Sequence, residues 1–335
     1  MLLVGQVGGP RLALRSNRKV SPDSRYTGRL PLAAPRLLVC SLSLTFYLSE
    51  AYICRMSRKN NSRVAPLIAA AIFVLTSAPA LARPLGNERE GVLRIVTQIQ
   101  KADYEGDRST LERLYGELTP FKGNKEFASR VFYWRGFALW RKAINGFNEN
   151  VDKRDLERDL HQAAEEFENS ASVDPAFVDS KIALGSCFGL LAYAVGKKDA
   201  AEQQALIAKS RQAITDARAA APDNPRLLWV LGPVYWNIPP DRGGGQAQAM
   251  EAYEKGLETI RSHKNATTDP LDPSWGEPEL LMSLAWSNLN RATPDLDAAE
   301  QNARSALALV PYWHYVRDIL VPQIQAAKAK QSGKS

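Results

Sequence analysis

The chain has 335 residues, enough for one or two globular domains, and a net charge of +7 that first suggests an acidic partner such as nucleic acid. The first 82 residues contain eleven basic and two acidic side chains, so the rest of the chain carries a net charge of −2. This nearly neutral main part lacks the basic excess that a nucleic-acid-binding face needs, and we expect no nucleic-acid partner.

Residues 56–82 have the layout of a secretory signal peptide. A basic start is followed by an apolar core and by the small-residue ending Ala80-Leu81-Ala82. We expect cleavage between Ala82 and Arg83, which predicts a periplasmic or secreted bacterial protein. An uncleaved anchor is the alternative, although the apolar core is shorter than the roughly 20 residues of a membrane span.

Residues 1–55 precede this signal and show no helical or strand period, so we assign them no fold. Because a signal peptide acts from an N-terminus, we interpret these residues as a spurious upstream extension and Met56 as the start. Without the signal peptide, the mature chain has no stable membrane span.

The cysteines and histidines offer no evident reactive or metal-binding group. Cys187 alone follows the signal peptide, and its apolar surroundings favour a buried small side chain over a nucleophile. The three histidines are far apart and lack the spacing of metal ligands: His161, His263 and His314. We expect no metal, no cofactor and no enzyme activity.

From residue 83 onward, apolar residues recur at steps of three and four, which predicts an all-α structure. Four segments also share one spacing of small and apolar residues. They are Ala163-Phe167-Ser170-Pro175, Ser210-Ile214-Ala217-Pro222, Ala249-Tyr253-Gly256 with Arg261 in the proline position, and Ala299-Ala303-Ala306-Pro311. The small residues allow a neighbouring helix to approach closely. In three of the four segments, a proline follows and ends the predicted helix.

An upstream partner segment precedes each of these four. The partners are Phe132-Arg135-Gly136-Leu139, Lys181-Leu184-Gly185-Phe188, Leu228-Leu231-Gly232-Tyr235 and Leu281-Leu284-Ala285-Asn288. From residue 132 to residue 311 this pattern resembles the tetratricopeptide repeat (TPR), which reads W-x₂-L-G-x₂-Y, then A-x₃-F and a late P.

The TPR resemblance implies a right-handed superhelical stack of antiparallel helix pairs, a TPR-like α-solenoid, over residues 83–335. Insertions lengthen the repeats beyond the usual 34 residues. The expected parts are a helix pair at 88–120, repeats at about 129–175, 178–222, 225–261 and 278–311, and a capping helix at 312–330.

The glycine run Gly243–Gly245 stands directly before a predicted helix, as phosphate-binding loops do. No strand precedes it and no Lys-Ser/Thr pair follows, so it predicts a turn. This turn with the following AMEAYEKGLE, and the later PSWGEPELL, are similar to exported bacterial repeat proteins related to the periplasmic T component of TRAP transporters. Ser274 and Glu277 in the latter stretch are spaced as a capping box.

In TPR proteins, three positions of each first helix face the concave side. Applied here, they are Tyr133, Phe137 and Trp140 in repeat one, Trp229, Pro233 and Trp236 in repeat three, and Met282, Trp286 and Leu289 in repeat four. Repeat two contributes the smaller Ile182, Ser186 and Gly189. The aromatic residues form either a binding groove or core between the repeats.

The absence of a recognisable triad, carboxylate pair or metal cluster favours a binding protein. The first hypothesis is an exported scaffold for a protein or peptide partner in the cell envelope. The alternative is a periplasmic carrier of a small apolar ligand that serves a transport system, as the T-component resemblance implies. An enzyme with unrecognised residues is the third hypothesis.

Overall fold

A computed structural model describes residues 85–263 and 268–333 of the chain. The predicted signal peptide, its cleavage between Ala82 and Arg83, and residues 1–55 lie outside the described residues. The described part contains eleven α-helices and no strand, which confirms the prediction of an all-α structure.

The helices follow one another with short connections. They are α1 (Leu85–Glu105), α2 (Arg108–Glu117), α3 (Ala128–Asn148), α4 (Lys153–Val173), α5 (Val178–Val195), α6 (Ala200–Ala220), α7 (Pro225–Asn237), α8 (Gln246–Ser262), α9 (Glu277–Asn290), α10 (Leu296–Leu309) and α11 (Val321–Ser332). Each helix packs mainly against its neighbours in sequence, and each predicted repeat contains one helix pair.

Polar side chains define where several helices begin. Asn224 caps α7, because its side chain accepts hydrogen bonds from the backbone N–H groups of Arg226 and Leu227. The capping box predicted at Ser274 and Glu277 is wrong, since α9 begins at Glu277 itself. Instead, the backbone N–H of Gly276 donates to Oε2 of Glu279 at 2.9 Å, so the carboxylate lies inside the first turn.

The contact between the two helices of a pair recurs in three of the four repeats. A Cβ added to the small residue of the first helix would collide with the large residue of the second, at 2.9 Å for Gly136 and Phe167, 2.7 Å for Gly185 and Ile214, and 2.0 Å for Gly232 and Tyr253. In repeat four, Ala285 and Ala303 are both fully buried. In the first three repeats the helices of a pair therefore meet at the positions that the TPR resemblance aligns.

The glycine run forms the turn between α7 and α8. Gly243 and Gly245 have φ of +79° and +102°, which residues with side chains rarely adopt. A Cβ on Gly244 would lie 2.4 Å from the carbonyl oxygen of Ile238. The need for three glycines is thus explained by the path of the backbone.

Helix α5 forms part of the interior. Within the described residues it alone is long and apolar enough to cross a bilayer, yet most of its surface is buried in the protein, and core helices meet the same criterion. Cys187 lies fully buried on it, and burial raises the pKa of its thiol well above the ordinary value. A thiol in this state is a poor nucleophile.

Candidate functional site: the inner face of the helix pairs

The first helices of the four repeats (α3, α5, α7 and α9) carry the predicted groove positions, and we call the surface that these positions form the inner face. The aromatic residues on α3 and α7 lie close together. The ring centroids of Phe137 and Trp140 on α3 are 5.8 Å apart, and the ring of Trp140 lies 6.0 Å from that of Trp229 on α7. Tyr133 packs against Phe137 at 6.2 Å. We call these four residues the inner aromatic cluster.

Most of the predicted groove residues are buried. Trp140 is 0% exposed and Trp286 is 7% exposed, and Tyr133, Phe137, Trp229 and Met282 are buried as well. Trp236 is half-buried and stacks edge-on against Trp286 at 5.1 Å. The six buried residues thus pack as core in this structure, while their contact with a ligand stays a prediction.

Repeat two also follows the predicted pattern of small side chains. Ile182, Ser186 and Gly189 all lie buried on α5, where their side chains project little. Repeat two therefore has no aromatic side chain at the positions where repeats one and three have them.

A chain segment that the sequence did not assign to the site covers the inner aromatic cluster. Residues 269–276, here called the covering segment, link α8 to α9 and bury Leu271 and Trp275. The Trp275 ring lies 5.8 Å from Trp140 and 5.5 Å from Trp229, and its Nε1 donates to the hydroxyl of Tyr133 at 2.9 Å. The sequence pattern around Trp275 indicated only the start of a helix.

Basic side chains hold the acids of the covering segment. Nη2 of Arg89 on α1 lies 2.5 Å from Oδ1 of Asp269, and Nε of Arg130 on α3 donates to Oδ1 of Asp272 at 2.9 Å. Arg226 at the start of α7 donates to the carbonyl oxygen of Trp275 at 3.4 Å. The first turns of these helices therefore form a basic rim.

Two further hydrogen bonds reach the covering segment from neutral side chains. Nε1 of Trp134 donates to the backbone carbonyl oxygen of Leu271 at 2.7 Å. The amide of Gln100 donates to Oγ of Ser274 at 3.0 Å. Contacts to both the backbone and the side chains of the covering segment thus hold it against α1 and α3.

A cluster of charged residues lies buried beside the aromatic rings. Nε of Arg141 is 2.7 Å from Oδ2 of Asp103, an ion pair in which the N–H is not aligned for a hydrogen bond. Nη2 of Arg141 lies 3.9 Å from Oε1 of Glu279, which also accepts from the hydroxyl of Tyr104 at 2.8 Å. We call Asp103, Arg141 and Glu279 the buried charge cluster.

Burial determines the proton affinity of the two acids. Desolvation raises the pKa of Asp103 and of Glu279, and the nearby guanidinium of Arg141 offsets only part of that effect. Desolvation acts to lower the pKa of Arg141, but the two carboxylates outweigh it and the pKa is raised. Arg141 is therefore the positive charge that makes two buried acids tolerable.

Besides Nε of Arg141, two further buried donors on α3 have no hydrogen-bond partner within the described part of the chain. They are Nε1 of Trp140 and Nη1 of Arg141. The guanidinium carbon of Arg141 lies 5.8 Å from the centroids of both the Trp140 and Trp229 rings. A buried donor left without an acceptor costs about 1–3 kcal/mol.

Sequence reasoning missed the buried charge cluster as well as the covering segment. Arg141 directly follows Trp140, and a charged residue next to a predicted inward-facing position was the available signal. Asp103 and Glu279 are 176 residues apart, and no local pattern joins them. Their meeting depends on how the first and last helix pairs pack.

The described residues contain no group of three or more His, Cys, Asp or Glu side chains placed to hold a metal ion. No family model, no curated protein and no solved structure matches the chain. Support for a function therefore comes from the geometry of the inner face.

Proposed function

We propose that this protein is an exported TPR-like scaffold, a right-handed superhelix of helix pairs, that binds an extended segment of a partner protein in the cell envelope. One observation carries the proposal: the inner face already holds a non-helical chain segment, residues 269–276, through side-chain contacts. A surface that binds this segment has the chemistry to bind a similar one.

The residue types on this face support peptide binding. Trp and Arg side chains dominate the binding energy of protein interfaces, and both line the inner face. Stacked helix pairs present such residues along an extended surface. The signal-peptide layout of residues 56–82 supports export, and a non-catalytic role agrees with the structural positions of Cys187 and the glycine run.

Site-specific photo-crosslinking in the cell envelope tests this function. A photoreactive residue at Leu289, at the partly open end of the inner face, should give a discrete crosslinked product with one envelope protein. The same residue at Gln212, exposed on the second helix of repeat two, is the control and should give none. Equal products at both positions, or no product at Leu289, would contradict the scaffold.

The two unpartnered donors favour a second function, the carrier of a small ligand. A carboxylate ligand would add a third negative charge beside Arg141, so charge balance favours an uncharged apolar molecule with a carbonyl or hydroxyl oxygen. The resemblance to the TRAP T component supports this alternative.

Mass spectrometry of the native and the denatured protein distinguishes a carrier from a scaffold. A carrier should release one small molecule on denaturation, and Trp140→Phe, which removes the Nε1 donor and keeps an aromatic ring, should reduce its occupancy. If the gently purified protein has the same mass in its native and denatured states, no ligand is bound, and this result would argue against the carrier function.

A further inference from the structure

We propose that the covering segment is an intramolecular occupant of the peptide-binding face, which a partner segment of the same chemistry replaces. That chemistry is two acidic side chains flanking an apolar one, followed within a few residues by a tryptophan. The inference rests on the scaffold function proposed above and adds the binding surface, the class of partner and the means of control.

The covering segment begins with a turn at residues 269–272 and is held mainly by side chains of other helices. Its acids Asp269 and Asp272 pair with arginines on two different helices, and its Leu271 and Trp275 fill apolar positions between them. Its own local contacts are few: the backbone N–H groups of Leu271 and Asp272 return to Asp269 at 2.8 Å each. Most of its anchoring contacts therefore come from other parts of the molecule.

The connection that contains the segment is long for two neighbouring helices. Residues 263–276, fourteen in all, join α8 to α9, whereas residues 291–295 suffice to join α9 to α10. Connections between packed helices usually have about 2–8 residues, and longer ones are often functional. The length of this connection marks residues 269–276 as a candidate functional segment.

A glycine separates the tryptophan anchor from α9. Gly276 has φ of +137°, a conformation that residues with side chains rarely adopt, and a Cβ there would lie 2.9 Å from Ile260. Rotation about this residue changes the direction of the chain before it. Gly276 thus lets the chain turn sharply between Trp275 and the first residue of α9.

Charge complementarity identifies the class of partner. Arg89, Arg130 and Arg226 lie near the starts of α1, α3 and α7, and their side chains are 27%, 23% and 15% exposed. Each of the three also pairs with an acid of the fold, namely Glu126, Asp174 and Asp179. A partner's acids would therefore take the places that Asp269 and Asp272 occupy at Arg89 and Arg130. Because the covering segment is tethered beside its site at an effective concentration of the order of millimolar, it competes with any free segment of similar affinity.

Fluorescence anisotropy with a labelled peptide tests the replacement directly. The peptide TDPLDPSWGE has the sequence of residues 268–277, and the protein is the full chain. The double variant Asp269→Ser/Asp272→Ser removes the two acid contacts of the tethered segment and leaves the basic rim intact. We expect it to bind the peptide about tenfold more tightly than the wild type, since each such ion pair contributes up to a factor of about five.

Two controls separate this effect from a general change of charge. Asp241→Ser removes an exposed acid from the α7–α8 turn, so its affinity for the peptide should equal that of the wild type. A peptide in which the Trp is replaced by Ala should lose most of its binding to the double variant. Equal binding of both peptides would contradict the proposed anchor.

Hydrogen exchange on the wild-type protein gives a second measurement in case the double variant unfolds. Excess peptide should speed exchange of the backbone amides in residues 271–276 and leave those of α3 unchanged. If the peptide leaves the exchange of residues 271–276 unchanged, and if wild type and double variant bind the peptide with equal affinity, the segment is a permanent part of the core and the proposal is wrong. A partner crosslinked at Leu289 while the segment stays protected would overturn this inference and leave the scaffold function in place.

Discussion

Arg141 shows how a single side chain balances charge inside the protein. It is 4% exposed and lies against Asp103 and Glu279, which are equally inaccessible. A buried acid without a cation is costly, because desolvation disfavours its charged form. The stability of the inner face therefore depends on this guanidinium.

Arg141→Met tests this dependence. The variant keeps an unbranched side chain but leaves two buried acids unpaired, and we expect a loss of about 3–5 kcal/mol in the free energy of unfolding. Arg113→Met is the control, because Arg113 and its partner Glu117 are largely exposed and such pairs contribute about 0.3–0.5 kcal/mol. Equal losses in denaturant unfolding would show that the buried charge cluster is not stabilised by Arg141.

Glu279 makes stability depend on pH with a predictable sign. Desolvation raises its pKa in the folded protein above the ordinary 4.5, so the fold favours the protonated acid. This contribution is fully present below the ordinary pKa and is lost as the pH rises through the higher, folded-state pKa.

Glu279→Gln should therefore reduce the loss of stability that the wild type shows as the pH rises from about 4.5 into the neutral range, each unit of pKa shift corresponding to about 1.36 kcal/mol. Urea unfolding of both proteins at several pH values measures the difference. Glu117→Gln removes only an exposed ion pair worth about 0.3–0.5 kcal/mol, so its pH profile should stay close to that of the wild type. A profile of Glu279→Gln that is identical to the wild-type profile would contradict the assignment.

At the scale of the helix pair, contact between a small and a large residue sets the distance between the two helices. Gly232 lies against the ring of Tyr253 in repeat three, and two other repeats use the same pairing. The spacing of these residues along the chain predicted this register before the packing was known. Local periodicity is sufficient here because both helices are adjacent in sequence.

Gly232→Ala measures the importance of that contact. The added methyl group would lie 2.0 Å from the Tyr253 ring, so the pair must separate, and we expect a loss of about 1–3 kcal/mol. Gly116→Ala on α2 is the matched control, since a Cβ there meets no atom within 4 Å. It should be neutral or stabilising by up to about 1 kcal/mol, because alanine favours helix; a similar gain at Gly232 would refute the close approach.

Across the whole molecule, contacts join helix pairs that are not neighbours. Tyr104 of α1 packs edge-on against Trp313 at 5.0 Å and donates to Glu279 of α9. Trp140 of α3 meets Trp229 of α7. In a simple solenoid each repeat contacts only adjacent repeats, so these contacts couple the pairs more strongly.

This coupling predicts cooperative unfolding. Tryptophan fluorescence, which reports on the inner face, and far-UV circular dichroism, which reports on all helices, should give the same denaturant midpoint. Trp313→Ala, which removes the contact with Tyr104, should lower that common midpoint. Two separate transitions in the wild-type protein would mean that the pairs unfold as independent repeats.

The proposed export predicts the N-terminal residue of the mature protein. The order of basic start, apolar core and A-x-A ending places cleavage after Ala82, so the exported species should begin with Arg83. N-terminal sequencing of protein recovered from the cell envelope or medium measures this. Recovery of residues from the range 1–55 would contradict both Met56 as the start and cleavage.

The sequence alone determined the helical class, the pairing of helices and the register within pairs, because these depend on residues three to about forty positions apart. It also placed aromatic side chains on the inner positions of repeats one, three and four. Only the tertiary structure decided that Trp275 covers Trp140 and that Asp103 and Glu279 share Arg141. Trp275 and Glu279 lie more than a hundred positions from Trp140 and Arg141, and all these contacts depend on the path of one long connection and on how distant pairs pack, which no local periodicity encodes.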